Sequence, residues 1–334
     1  MRTDFRTLLD ARRVLLADGG TGTGLFARGL ATGDSPELWN LLHPEKVEDL
    51  HREFVDAGSD LILTNSFGAN RRRLALHGAD RRVGEICRAA AARARTVADA
   101  AERPVVVAGS MGPTGDILEP VGTLPFDEAV AVFEEQARAL AAGGVDLLWI
   151  ETMSAAEEVR AAATAAARTG LPFVTTLSFD TAGRTMMGLT PADVVALVRD
   201  LPARPVAFGA NCGTGPAQLL ATLLELRAEG EAGEVLVAKA NCGIPEWEEG
   251  RIRYSGTPDI MATYARLARA VGARVIGGCC GTTGEHLRAM RQALDAAGEE
   301  PAPDLDTIRR LLGDAAPSAA TAPREGGRRR RRPA

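Results

Sequence analysis

Eight short apolar runs, separated by stretches of helical spacing, constrain this chain more than any other feature. They are VLLADGG (14–20), DLILTNSFG (60–68), PVVVAGSMGP (104–113), DLLWIETM (146–153), PFVTTLSF (172–179), PVAFGANCG (205–213), EVLVAKANCG (234–243) and ARVIGGCCG (273–281). The segments between them, such as 126–140 and 155–168, are rich in alanine and carry charges at helical spacing. Near-continuous apolar strands are buried on both faces, and eight of them alternating with helices predict an α/β fold, the (β/α)8 TIM barrel. The rival, a doubly wound open sheet, fits less well. Asp18-Gly-Gly-Thr-Gly-Thr23 lacks the GxGxxG spacing that such a sheet uses at its first turn.

At 334 residues and 46% hydrophobic content, the chain can bury a core of that size. Its formal charge of −5 and pI of about 5.6 argue against nucleic acid or an acidic membrane as the main partner. The N-terminus lacks the pattern of a secretory signal, and no run approaches the roughly 20 apolar residues of a membrane span. A cytoplasmic protein is expected, whose five cysteines are thiols rather than disulfides. Residues 1–298 read as the barrel, and 299–334 as a C-terminal extension with a short helix over 304–312 and a disordered, arginine-rich end. Without arginines 328–332 the formal charge falls from −5 to −10, so the barrel itself is acidic.

Barrel chemistry sits at the C-terminal ends of strands, where the unusual residues of this sequence also fall. Asp18-Gly19-Gly20 ends the first run, Glu151 the fourth, Asn211-Cys212 the sixth, Asn241-Cys242 the seventh and Cys279-Cys280 the eighth. Cys212, Cys279 and Cys280 offer three thiolates, the ligand count of a catalytic zinc site with one open position. Adjacent strand residues point to opposite faces, but Gly277, Gly278 and Gly281 would let the backbone leave the pleat and turn both sulfurs inward. With Cys242 as a fourth thiolate, the set would instead suit a closed structural metal or an iron-sulfur cluster. Cys87, in the helical stretch 83–94, reads as a core residue. Glu151 could pair with a substrate ammonium or cap the next helix, and Asn211 could support Cys212 or satisfy backbone groups.

DGGTGT, LTNSFGAN, GSMGPTGD, WIETM, GANCGTGP, NCGIPE and GGCCGTT, in that order, resemble the homocysteine S-methyltransferase family over about residues 12–296. That family includes betaine and S-methylmethionine enzymes and the homocysteine domain of cobalamin-dependent methionine synthase. The resemblance implies a zinc-bearing barrel with Cys212, Cys279 and Cys280 as ligands, and leaves Cys242 outside the set. It also places Asp18 and Gly19 beside homocysteine, whose carboxylate the Gly19 and Gly20 amides could approach closely, and whose ammonium Glu151 at its strand end is well placed to meet. A free thiol is mostly protonated at neutral pH, whereas a coordinated one is deprotonated. The substrate sulfur would thus be held as a nucleophile, and the neutral thioether of methionine would leave more readily.

The implied partners are homocysteine and a small methyl donor, with no nucleic acid and no membrane, and a homo-oligomer is compatible with the sequence. Glycine betaine is the preferred donor, since its quaternary ammonium favours aromatic faces. Trp39, Phe67, Trp247 and Tyr254 are the candidate rings, while Trp149 sits inside a strand and reads as core. Against betaine, Gly68 stands where the animal betaine enzymes carry a donor-facing tyrosine. S-methylmethionine, a cobalamin- or folate-derived methyl group, and a non-catalytic four-cysteine metal barrel remain alternatives.

Overall fold

Alternation within each apolar run decides which side chains fill the barrel and which meet the surrounding helices. In the computed structural model, Leu15, Leu61, Leu63, Val106, Leu147 and Trp149 join one buried cluster inside the barrel. Their chain neighbours Leu16, Ile62, Val107, Leu148 and Ile150 join a larger cluster between sheet and helices. The structure describes residues 4–313 apart from 181, 244, 249 and 250, and only the backbone of 245–248 and 251–253.

All eight runs form strands: β1 (Leu15–Leu16), β2 (Leu61–Leu63), β3 (Val106–Met111), β4 (Leu147–Met153), β5 (Phe173–Leu177), β6 (Ala207–Cys212) and β7 (Leu236–Ala240). A hairpin, β8 (Pro245–Glu248) and β9 (Arg251–Tyr254), follows before β10 (Ala273–Gly278) completes the set. The eight barrel strands are parallel and run in the order β1-β10-β7-β6-β5-β4-β3-β2. A bridge between Ala17 and Leu61 joins the two end strands, which makes the sheet a TIM barrel. Close packing of strands also explains Gly209, where a Cβ would lie 2.0 Å from the Val237 carbonyl oxygen.

Two features lie beyond the eight-fold alternation read from the sequence. The helix Phe5–Arg12 sends Phe5, Leu8 and Leu9 into the interior cluster beside the first residues of the strands, and so plugs the N-terminal end of the barrel. The hairpin interrupts the path from β7 to the helix Pro258–Val271. The expected helix near 304–312 is present as Leu305–Leu312, and its Ile308 is buried in the main core. The expected disordered, arginine-rich end lies at 314–334, outside the described residues. Among the described residues, no helix is long and apolar enough to cross a membrane.

Because β1 is so short, side chains do part of the work of a ladder at the closing seam. Asp18 Oδ2 accepts from the Leu63 amide at 2.7 Å, and Asp60 Oδ2 accepts from the Leu16 amide at 3.0 Å. Asp60 is fully buried and faces three guanidinium groups: Arg12 at 2.9 Å, Arg291 at 3.2 Å and Arg103 at 3.5 Å. Removing its charge would turn an amide NH2 toward the arginines and leave the three of them repelling one another, so Asp60→Asn should lower stability by about 3 kcal/mol or more in urea unfolding.

The helix Pro44–Asp56 buries His51 completely, with neither ring nitrogen hydrogen-bonded among the described residues. Burial pulls the imidazole down to about 4 from 6.5. Below 6.5 the unfolded chain binds a proton that the folded chain refuses, so stability is lost as pH falls toward 4. The loss attributable to this residue between about pH 7 and pH 5 should be about 2 kcal/mol. Chemical denaturation at the two pH values should show a correspondingly flatter acid dependence for His51→Leu.

Candidate metal centre and substrate site

Strand ends β6 and β10 bring Cys212, Cys279 and Cys280 together, with their sulfurs all within 4.8 Å of one another. Cys212 Sγ and Cys279 Sγ are 2.9 Å apart, and all five cysteines are free thiols. Among the described residues, no other group of histidine, cysteine or carboxylate side chains converges as a candidate metal site. Crowding forces the thiols to share protons. Hydrogen bonds from Cys212 and Cys279 pull Cys280 down to about 3, while hydrogen bonding with Cys279 and Cys280 pushes Cys212 well above the usual range. Three sulfurs packed this way form a soft ligand set that fits a thiophilic cation with an open coordination position.

The vicinal pair escapes strand alternation because β10 stops at Gly278, so both cysteines lie in the turn beyond it. Gly281 takes a left-handed φ of 79°, as that turn requires. Gly277 and Gly278 serve a different purpose, which is room. A Cβ on Gly278 would lie 2.2 Å from Thr282, and one on Gly277 would lie 2.9 Å from the Ala17 Cβ.

Cys242 stands apart from the cluster. Its thiol donates to the Gly256 carbonyl at 3.3 Å, and burial pushes it up to about 12. Its amide donates to the Cys280 carbonyl at 2.9 Å, so this residue shapes the turn with its backbone.

Two asparagines, from the repeated Ala-Asn-Cys at the ends of β6 and β7, hold the cysteine turns in place. Asn211 accepts from the Thr152 amide at 2.9 Å, donates to the Thr152 hydroxyl at 2.7 Å, and lies 3.9 Å from Cys279 Sγ. Thr152 and Cys212 are both left-handed, with φ of 61° and 60°, a conformation costing about 1–3 kcal/mol at each non-glycine residue. Asn211 therefore satisfies the Thr152 backbone amide and approaches the sulfur of Cys279, not that of its chain neighbour Cys212. Asn241, which the sequence reading quoted in its motif but did not single out, accepts from the Cys280 amide at 3.0 Å and donates to the Gly213 carbonyl at 2.6 Å.

Behind the sulfurs lies a buried charge cluster. Glu151, 8% exposed, accepts from the Ser110 hydroxyl at 2.5 Å, and burial raises its carboxyl to about 7. Asp18, 0% exposed, binds the Lys239 ammonium at 2.5 Å through Oδ1. Burial raises the Asp18 carboxyl and opposes the lysine's charge, but the contact with Asp18 and the nearby Glu151 hold Lys239 above its ordinary value. With the Leu63 amide donating to the second Asp18 oxygen, the ion pair is the form the geometry stabilises. Lys239 was missed from sequence because a single cation in EVLVAKANCG is masked by the apolar strand around it.

The Gly20 amide donates to the Thr282 carbonyl at 3.0 Å, and a Cβ on Gly19 would lie 2.4 Å from that same oxygen. Tyr254, at the end of β9, packs its ring against Gly281 beside Cys280, and burial, then the neighbouring thiols, raise its hydroxyl. Phe67 packs its ring over Gly112. Trp39 is buried, with Lys46 4.6 Å from its ring centroid and His43 edge-on at 4.7 Å. The Trp247 side chain lies outside the described residues.

A family model described as homocysteine S-methyltransferase matches residues 15–294. The methionine synthase of Mycobacterium tuberculosis is 30% identical over 308 residues, and that of Mycobacterium leprae 28% over 309. These alignments cover 87% and 88% of this chain but only 25% of each relative, so the chain spans about a quarter of their length. Among solved structures, the homocysteine methyltransferase MmuM from Escherichia coli in its metallated form superposes with a TM-score of 0.73 at 27% identity, covering 86% of this chain and 98% of that one. Its oxidized form gives 0.71 at 28% identity, with 87% and 99% covered. With the match running from β1 to the last barrel helix, the chain belongs to the homocysteine S-methyltransferase family.

Proposed function

We propose that this protein methylates the sulfur of homocysteine to give methionine, using a zinc ion held by Cys212, Cys279 and Cys280 and glycine betaine as methyl donor. The observation that carries the reading is the convergence of three thiols within 4.8 Å beside a buried carboxylate. When bound, zinc supplies the charge that keeps the substrate sulfur a thiolate at neutral pH. The chain's own residues do the rest. Glu151, held by Ser110, pairs with the substrate's ammonium, and Asn211 and Asn241 fix the turns that carry the sulfurs. The five free thiols support a cytoplasmic location.

Support for a cationic donor comes from Tyr254, whose ring packs against Gly281 beside Cys280 and is the one expected donor-site ring at the cysteine cluster among the described residues. Its aromatic face can stabilise a quaternary ammonium. The relation to methionine synthases about four times as long favours a second reading, in which a separate protein presents the methyl group.

Two measurements test these assignments. By metal analysis, Cys242→Ser should keep about one zinc per chain. Cys280→Ser should weaken zinc binding by more than the roughly 10–100-fold that loss of an outer hydrogen-bond partner costs. Zinc loss from Cys242→Ser would restore the four-cysteine structural reading. In a donor panel with homocysteine and zinc, methionine should form with glycine betaine. Turnover with S-methylmethionine and none with betaine would reject the preferred donor.

A further inference from the structure

Two carboxylates, Asp18 and Glu151, stand near the cysteine cluster, and a homocysteine ammonium needs a partner there. The structure treats them differently. Asp18 is fully sealed and both its oxygens are engaged, Oδ1 by the Lys239 ammonium at 2.5 Å and Oδ2 by the Leu63 amide at 2.7 Å. Glu151 keeps 8% of its exposure, and among the described residues the Ser110 hydroxyl donates to its Oε1. Lys239 is itself 2% exposed and lies 5.6 Å from the ring centroid of Trp149, whose Nε1 is fixed by the Thr176 hydroxyl. Turning Asp18 toward a substrate would strand a buried lysine ammonium and release a seam amide.

We propose that Lys239 is a positioning residue that occupies Asp18 throughout the cycle and leaves Glu151 as the carboxylate that recognises the substrate's ammonium. This inference rests on the homocysteine reading above and specifies it. By neutralising Asp18, Lys239 leaves a single negative charge facing a single positive one. An amino-acid thiol then finds a matched partner, and a thiol without the amino group leaves Glu151 unpaired.

The test compares binding of homocysteine and its deamino analogue, 4-mercaptobutanoate, to the zinc-loaded protein by calorimetry. The wild type should prefer homocysteine by about tenfold or more, the worth of one charge-assisted hydrogen bond. Glu151→Gln should erase that preference. Asp18→Asn alone should also reduce it, because the freed Lys239 then competes for Glu151. The double variant Asp18→Asn/Lys239→Met removes both charges together and should restore the preference to within about threefold of wild type. A double variant as indiscriminate as Glu151→Gln would overturn the inference, since Asp18 would then be a substrate contact. A crystal structure of the wild type with homocysteine decides the matter without relying on any variant to fold. The inference requires the ammonium on Glu151 with the Lys239–Asp18 pair intact, and fails if the ammonium sits on Asp18. Absence of homocysteine binding by the wild type would remove the functional reading itself, and this inference with it.

Discussion

Closure of the sheet at β1 is the constraint on which the rest of this structure depends. A strand of two residues cannot supply the ladder that holds its neighbours together, and its pairing with β2 reduces to a single bridge at Ala17 and Leu61. Asp18 and Asp60 make up the difference, each accepting a backbone amide across the seam. They sit at opposite ends of it and are charge-balanced differently. Asp60, at the plugged end, faces three partly exposed arginines, whereas Asp18, at the cysteine end, faces one buried lysine. The cysteine-bearing face therefore carries a residue whose ionisation belongs to the architecture. A substrate that competed for Asp18 would be competing with barrel closure.

The sulfurs are positioned by similar economy. Cys212 and Thr152 hold left-handed conformations that neither residue adopts freely, and one asparagine side chain spans from the first strand end to the second. Asn241 performs the matching task for the Cys280 turn. Because both asparagines act through backbone groups, the positions of the sulfurs are set by hydrogen bonds within the rim. Loop ends alone would leave them free to drift. This is the kind of support that a metal centre needs, since coordination tolerates little displacement of its ligands.

Much of this was legible in the sequence. Eight apolar runs became eight strands because burial on both faces leaves an unmistakable pattern, and the rim cysteines followed from strand ends and barrel topology. Other features had no such signal. PEWEEGRIRY is charged and only four residues pair on each strand, so the hairpin leaves no apolar run in the sequence, yet it is what brings Tyr254 to the Cys280 turn. Lys239 occupies one position in an apolar strand, and its partner Asp18 is 221 residues distant in the chain. Trp39 lies near a loop in sequence, but its ring is taken up by Lys46 and His43. Gly277 and Gly278 were recognised as necessary for a conformational reason, whereas what they provide is space.

The paired cysteines show how a sequence oddity resolves into chemistry. Two adjacent thiols cannot share a face while they remain in a strand, so the strand must end before them, and it does so at Gly278. Once in the turn they meet Cys212, and the three thiols can relieve their crowding only by sharing protons or by giving them up to a cation. Proton sharing is a weak solution, because it lowers one thiol at the expense of its neighbours. A cation satisfies all three at once. Cys242 shares the Ala-Asn-Cys motif but points its thiol at a carbonyl, where burial keeps it protonated and a positive ion would gain little from it. Two copies of one motif thus diverge in role through side-chain direction alone, one giving a sulfur to the cluster and the other giving its backbone to the turn that holds it.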